Sequence, residues 1–178
     1  MPLETNHNAE NHRNCTVRLA EMADPNAAQE VLKLLEHYAE HPLGNGGPLP
    51  ASVRETVIEG LRKHPTTLIF LADLGSLVVG MAVCFVGFST FKAKPLINIH
   101  DLVVHSDWRG RGIGSALIDA VVAHAQDRLW CAVTLEVRAD NLARRLYAHK
   151  GFRDLSEPTH DQTMLFGKLL LPSSDERP

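Results

Sequence analysis

The sequence predicts an α/β protein of the α+β kind, folded as a single three-layer domain. Three observations carry that expectation. Short β-branched apolar runs alternate with longer segments of helical period. The segments fall in the order β-α-α-β-β-β-α-β-α-β, so antiparallel hairpins come first and one parallel-capable β-α-β unit follows. The 178 residues, 44% hydrophobic and 22% charged, fit one soluble domain with a full core.

Each element has its own justification. CTVRLAEM (15–22) reads as a first strand. Residues 24–42 read as a helix, with Pro25 suited to an early position and Ala28, Val31, Leu34, Leu35 and Tyr38 at helical spacing. LGNGGPLP (43–50) is dense in Gly and Pro and reads as a loop, which its length suggests is a lid. The second helix starts near Pro50, where Ser52 and Glu55 have the spacing of a capping box. TTLIFLAD (66–73) and LVVGMAVCFVGF (77–88) read as strands joined across Leu74-Gly75-Ser76, a hairpin connection. LINIHDLVV (96–104) is a fourth strand, GSALIDAVVAHAQDR (114–128) an amphipathic helix and CAVTLEV (131–137) a fifth strand. NLARRLYAHKGF (141–152) reads as a short helix stopped by Gly151, and TMLFGKLLL (163–171) as the last strand. Residues 1–13 and 171–178 are expected as flexible tails around a domain at 14–170.

Composition narrows the function classes. A formal charge of −3 gives no electrostatic case for nucleic acid or an anionic membrane. No run of 18 apolar residues exists for a membrane span, and the polar start lacks the apolar core of a signal peptide. The cytoplasm is the expected compartment. Cys15, Cys84 and Cys131 are odd in number, lie in apolar settings and lack C-x-x-C spacing, so buried free thiols are expected. His37 and His41 share an i, i+4 spacing, but no third ligand stands nearby. They read as solvated helix histidines, and no metal is expected.

Chemistry concentrates in HDLVVHSDWRGRGIGSAL (100–117). Glycines between a strand and a helix let backbone amides converge on an anion, where the helix start already offers free N–H groups. The Walker loop is excluded, since its Gly-Lys-Ser/Thr is missing. The dinucleotide fingerprint G-x-G-x-x-G is excluded too, because Gly110, Gly112 and Gly114 run G-x-G-x-G. A third pattern, [QR]-x-x-G-x-[GA], is satisfied in full by Arg109 to Gly114.

That turn, the strand LVV before it, the helix after it and the segment LEVRADNLARRLYAHKGF (135–152) together resemble the GNAT acetyltransferase superfamily, over about residues 15–170. The resemblance implies a mixed, mostly antiparallel sheet of six to seven strands with about four helices. It also implies acetyl-coenzyme A as the donor. Arg109, Gly110, Arg111, Gly112, Ile113, Gly114 and Ser115 would then hold the pyrophosphate through their amides. Leu102, Val103 and Val104 would run beside the pantetheine arm, because in the family the fourth and fifth strands splay apart.

Tyr147 falls at the family's Leu-Tyr position, which implies the general acid that protonates the leaving thiolate. The family usually has Asn seven residues before that Tyr; here Asp140 stands there and Asn141 follows. Either side chain can cap a helix, and which of them contacts the coenzyme stays open. Many relatives carry a Glu base in the fourth strand, where this chain has His100 followed by Asp101. His100 suits proton transfer near neutral pH, as base or relay, or is a structural histidine. Period two predicts that His100 and Asp101 face opposite sides of the sheet.

Residues 85–117 look closest to the spermidine/spermine N-acetyltransferase branch, on the strength of Phe-Ser-Thr-Phe (88–91), the acidic residue before LVV and SDWRG. The branch implies acceptor contacts at Phe88 and Asp101, with acidity added by Glu36, Tyr38 and Glu40 or a merely solvated helix face there. His100 in place of a carboxylate weakens the polyamine case, so the expected acceptor is a small primary amine. Peptide acetylation and a non-catalytic coenzyme-binding module are the alternatives. Relatives often pair as dimers, with the apolar last strand as a candidate contact.

Overall fold

The computed structural model describes residues 15–154 and 164–171. In chain order the elements are β1 (Cys15–Leu19), α1 (Pro25–Ala39), α2 (Ala51–Lys63), β2 (Thr67–Leu74), β3 (Leu77–Ser89) and β4 (Lys94–Val104). They continue with α3 (Ile113–Asp127), β5 (Ala132–Arg138), α4 (Arg144–His149), β6 (Arg153–Asp154) and β7 (Met164–Leu170). The seven strands form one sheet in the order β1-β2-β3-β4-β5-β7-β6. Every pairing is antiparallel except β4 with β5. The two expected tails fall outside the described residues, apart from Leu171.

The sheet is covered on both faces, which makes the three layers. Leu117, Ile118 and Val121 of α3 pack on one face, against Phe70, Ala82, Ile97, Ile99 and Val133. Val31 and Leu34 of α1 pack on the other, against Ile69, Leu71, Met81 and Val103. Helix α2 buries no residue fully and lies outermost. Its Arg54 pairs with Glu36 of α1, and its Arg62 donates to the Met22 carbonyl at 3.0 Å. Leu117 is fully buried, so Leu117→Ala should cost about 2–5 kcal/mol in urea unfolding. A loss below about 1 kcal/mol would mean that α3 is not the central prop of this core.

Local chemistry explains most boundaries. Helix α1 has Pro25 at its first position, as the sequence predicts, and Asp24 caps it by accepting from the Asn26 N–H at 2.9 Å. The β2–β3 turn is Gly75-Ser76, with Leu74 paired to Leu77 and Gly75 at φ +62°. The Ser52–Glu55 capping box does not form. Helix α2 begins at Ala51, two residues before the start a Ser52 cap would give; Pro50 occupies the capping position, and proline has no side-chain acceptor.

One irregularity in β4 decides the site. Ile99 pairs with Cys84 and Asp101 with Val83, so His100 is an extra residue in a β-bulge. Before the bulge Ile97 and Ile99 face the α3 core; after it Leu102 and Val104 do, and Val103 faces the α1 core. The bulge therefore inverts the alternation. His100 and Asp101 both fall on the α1 face, which overturns the expectation that they lie on opposite sides.

Candidate active site

β4 and β5 pair only over Ile97–Ile99 and Val133–Leu135. Beyond that point β4 stays with β3 to Val104, and β5 stays with β7 to Arg138. The two strands part like a wedge, and a cleft of about 820 Å³ opens between their C-terminal ends. Leu102, Val103 and Val104 line it from β4, opposite Glu136, Val137 and Arg138 of β5. This is the splay that the resemblance implies.

The glycine-rich turn closes one end of the wedge. Gly110 and Gly112 sit at φ +74° and +81°, the left-handed region where a Cβ is disfavoured. Gly112 caps α3, and its carbonyl accepts from the Ala116 N–H at 3.0 Å. Among the described residues, no backbone carbonyl accepts from the N–H groups of residues 110–115. Those amides stand at the positive end of a 15-residue helix, a cradle suited to phosphate oxygens. Ile113 is 4% exposed and anchors the turn in the core, while Ser115 lies half-buried in the first helical turn. Arg109 donates from Nε to the Val104 carbonyl at 3.0 Å, which ties the turn to β4. The Arg111 guanidinium lies 4.7 Å from the Trp108 ring centre.

Helix α4 forms the adjoining wall. A Cβ on Gly114 would stand 3.4 Å from the Leu146 side chain, so the turn and α4 approach closely because residue 114 is glycine. Tyr147 follows on α4, half-buried beside Phe152 at 6.0 Å between ring centres. Burial, reinforced by the Tyr38 phenol, pushes its pKa up to about 12, so it is a neutral donor at physiological pH. Asn141 accepts from the Ala143 N–H at 2.9 Å, a turn that leads into α4, whose capping position is Ala143 and has no side-chain cap. Asp140 is clasped by Arg138 through Nε at 3.0 Å and Nη2 at 2.8 Å. Both residues line the cleft.

The opposite wall comes from α1. Tyr38, His41 and Leu43 face His100 and Asp101 across the cleft. Burial raises the Asp101 pKa, and His100 beside it pulls the other way. Burial and then Asp101 raise that of Tyr38, whose hydroxyl donates to the Leu43 carbonyl at 3.4 Å. His100 also stacks edge-on with Phe85 at 5.4 Å. The cleft thus gathers Tyr147, Tyr38, Asp101 and His100. Of the acidic trio expected on α1, Tyr38 lines it, whereas Glu36 pairs with Arg54 and Glu40 caps the helix.

Phe88 is the site residue that the structure places elsewhere. β3 and β4 run on to Ser89 and Lys94, so Phe88 pairs with Pro95 near the hairpin tip, 62% exposed and outside the cleft. His37 and His41 each turn a ring nitrogen to a backbone N–H. His37 Nε2 accepts from the Ser106 N–H at 3.1 Å, and His41 Nδ1 accepts from the Leu43 N–H at 3.1 Å. The three thiols are free, with Cys84 buried and Cys15 and Cys131 half-buried. The first half of the expected lid is a fixed wall: Asn45 and Gly47 both donate to the Ala39 carbonyl at 3.1 Å. A Cβ on Gly44 would collide with the Tyr38 carbonyl oxygen, so only glycine lets the loop fold back there. His41 and Leu43 enter the cleft beside Tyr38 of α1 through that fold-back, and the sole sequence signal for it was the glycine density.

His37 gives a pH prediction. Its ring stacks on His105 at 4.3 Å. Burial, then His105 and Arg109, lower its pKa from 6.5. The unfolded state therefore takes up the proton first as pH falls, so His37 contributes stability above about pH 6.5 that is lost below it. The urea midpoint should fall between about pH 7.5 and 5.5, and less steeply in His37→Gln. Parallel slopes in wild type and variant would remove His37 from the account.

Residues 28–152, which hold the turn, the wedge and Tyr147, match the acetyltransferase (GNAT) family. An uncharacterised N-acetyltransferase of Methanocaldococcus jannaschii is 31% identical over 96 residues, 53% of this chain and 42% of that protein. The thialysine N-epsilon-acetyltransferase of Bos taurus is 36% identical over 84 residues, 47% of this chain and 49% of that one. The chain thus spans about half the length of the curated relatives it matches. Among solved structures, a chain from the NatC complex bound to Gag peptide and coenzyme A superposes with a TM-score of 0.67. It is 18% identical, over 89% of this chain and 99% of that one, a likeness of fold. The family match covers the whole candidate site, and the chain belongs to the acetyltransferase (GNAT) family.

Proposed function

We propose that the protein transfers an acetyl group from acetyl-coenzyme A to a primary amine of a small molecule, with both held together in the cleft. One observation carries this reading: the wedge leads from the unpaired amides of residues 110–115 to a half-buried carboxylate and two tyrosines. When bound, acetyl-coenzyme A supplies an activated acetyl thioester.

The chain's residues supply the rest. The amides of residues 110–115, with Arg109 and Arg111 beside them, fit the pyrophosphate. The edge of β4 over Leu102–Val104, left without a β5 partner, offers its backbone to the pantetheine arm. Asp101 holds the cationic acceptor, and His100 next to it accepts the amine proton. Tyr147 donates its phenolic proton to the departing sulfur. A neutral phenol held in an apolar setting suits that task.

Asp101→Asn tests the acceptor assignment. Losing a charge-assisted contact, worth about 1.5–3 kcal/mol, should raise KM for small amines by roughly tenfold to a hundredfold and leave coenzyme affinity unchanged. In the wild type KM should rise as pH falls through the raised Asp101 pKa, because the protonated carboxyl no longer attracts an ammonium. An unchanged KM in the variant would take Asp101 out of the acceptor site.

A further inference from the structure

A second cavity, of about 470 Å³, lies on the flank of α4 turned away from Leu146 and the glycine turn. Its size is that of a small-molecule site. The floor is apolar, built from Leu135, Val137, Ala148, Phe152 and Gly167. Three arginines, Arg144, Arg145 and Arg153, also line it. Leu135, Val137, Leu142 and Tyr147 line this cavity and the coenzyme cleft alike, so the two adjoin at the tyrosine assigned to the thioester sulfur.

We propose that this cavity receives the far end of a dicarboxylic acyl group, so that the protein transfers succinyl-type as well as acetyl groups; the inference rests on the reading of the cleft above. Charge complementarity selects the occupant. The cavity's one carboxylate, Asp140, is taken by Arg138. Arg145 and Arg153 make no ion pair among the described residues. Arg144 spends one N–H on the Ala139 carbonyl at 2.8 Å and keeps the others. Guanidinium forks bind carboxylates in pairs of hydrogen bonds, whereas an uncharged chain end would leave them facing nothing.

Reach agrees with charge. Arg144 precedes Tyr147 by three residues, which places the two on neighbouring parts of one helix surface, about 5–6 Å apart at Cβ. A four-carbon dicarboxylic chain covers a comparable span, with its methylenes on the apolar floor. The chemistry balances as in acetyl transfer. The amine nitrogen forms a C–N bond to the thioester carbonyl carbon as the C–S bond breaks. The amine proton leaves to His100, the sulfur takes one from Tyr147, and no oxidant or reductant is involved.

Titration calorimetry of the full chain tests this without a known acceptor, using acetyl-, butyryl- and succinyl-coenzyme A and succinate alone. Butyryl has the same chain length without the charge. Succinyl-coenzyme A should bind about tenfold tighter than butyryl-coenzyme A at low salt, with an advantage that shrinks as salt screens the exposed arginines. The double variant Arg145→Gln/Arg153→Gln should shrink that advantage, the triple variant with Arg144→Gln should erase it, and both should leave acetyl-coenzyme A affinity as in the wild type. Equal binding of the succinyl and butyryl forms would overturn the proposal. So would binding of succinate with acetyl-coenzyme A already in place, which would mark an independent anion site. Failure of every coenzyme derivative to bind would instead strike the cleft assignment itself and take this inference with it.

Discussion

Gly112→Val should weaken coenzyme A binding by at least about a hundredfold while leaving a folded protein. Residue 112 sits at φ +81° at the start of α3. A β-branched side chain in that region costs roughly 1–2 kcal/mol, which the chain relieves by rotating the backbone. The amides on either side then no longer converge. Losing two charge-assisted hydrogen bonds at about 1.5–3 kcal/mol each amounts to a hundredfold or more. A Cβ at 112 meets nothing within 4 Å, so the fold itself should survive. Calorimetry with coenzyme A gives the affinity, and circular dichroism checks the fold. Wild-type affinity in the variant would move the phosphate site away from this turn.

Tyr147→Phe should cut turnover by about 10²–10⁴-fold and leave coenzyme affinity within a factor of about three. The ring keeps its packing on Phe152, so the variant isolates the hydroxyl. With the pKa pushed up to about 12, the wild-type phenol stays protonated across the neutral and mildly alkaline range. Its rate should therefore show no alkaline loss from Tyr147 below about pH 10. A variant that turns over like wild type would leave the sulfur to be protonated by solvent.

The fold was legible in the sequence where local rules act alone. Helix α1 announced its start through Pro25, the β2–β3 hairpin through Gly75-Ser76, and the turn before α3 through three spaced glycines. Ser52–Glu55 misled because the cap fell two residues earlier, at Pro50, which placed Ser52 inside the helix. The two-residue β6 was missed for want of any period to read.

The site was legible as far as it is local. The turn was expected from its spacing, and Tyr147 and the β4 edge from the family resemblance; Arg109, Gly114, Tyr147 and Leu102–Val104 all line the one cleft. The common face of His100 and Asp101 was not expected, because a bulge is set by how β4 meets β3, and the alternation rule has no term for it. Tyr38 and His41 drew notice for acidity and for metal spacing. Their place in the cleft depends on how α1 packs on the sheet and, for His41, on a loop folding back over the end of α1, both tertiary events. Phe88 lies outside the cleft because its motif extends a hairpin away from it, a strand length that no local signal set.

The most direct test of the central claim is release of free coenzyme A from acetyl-coenzyme A by the full chain, across small mono- and diamines, amino acids with side-chain amines and short peptides. Release should depend on the amine, be fastest with small primary amines and fall in Tyr147→Phe and Asp101→Asn. Release with peptide N-termini alone, or no amine-dependent release at all, would contradict it.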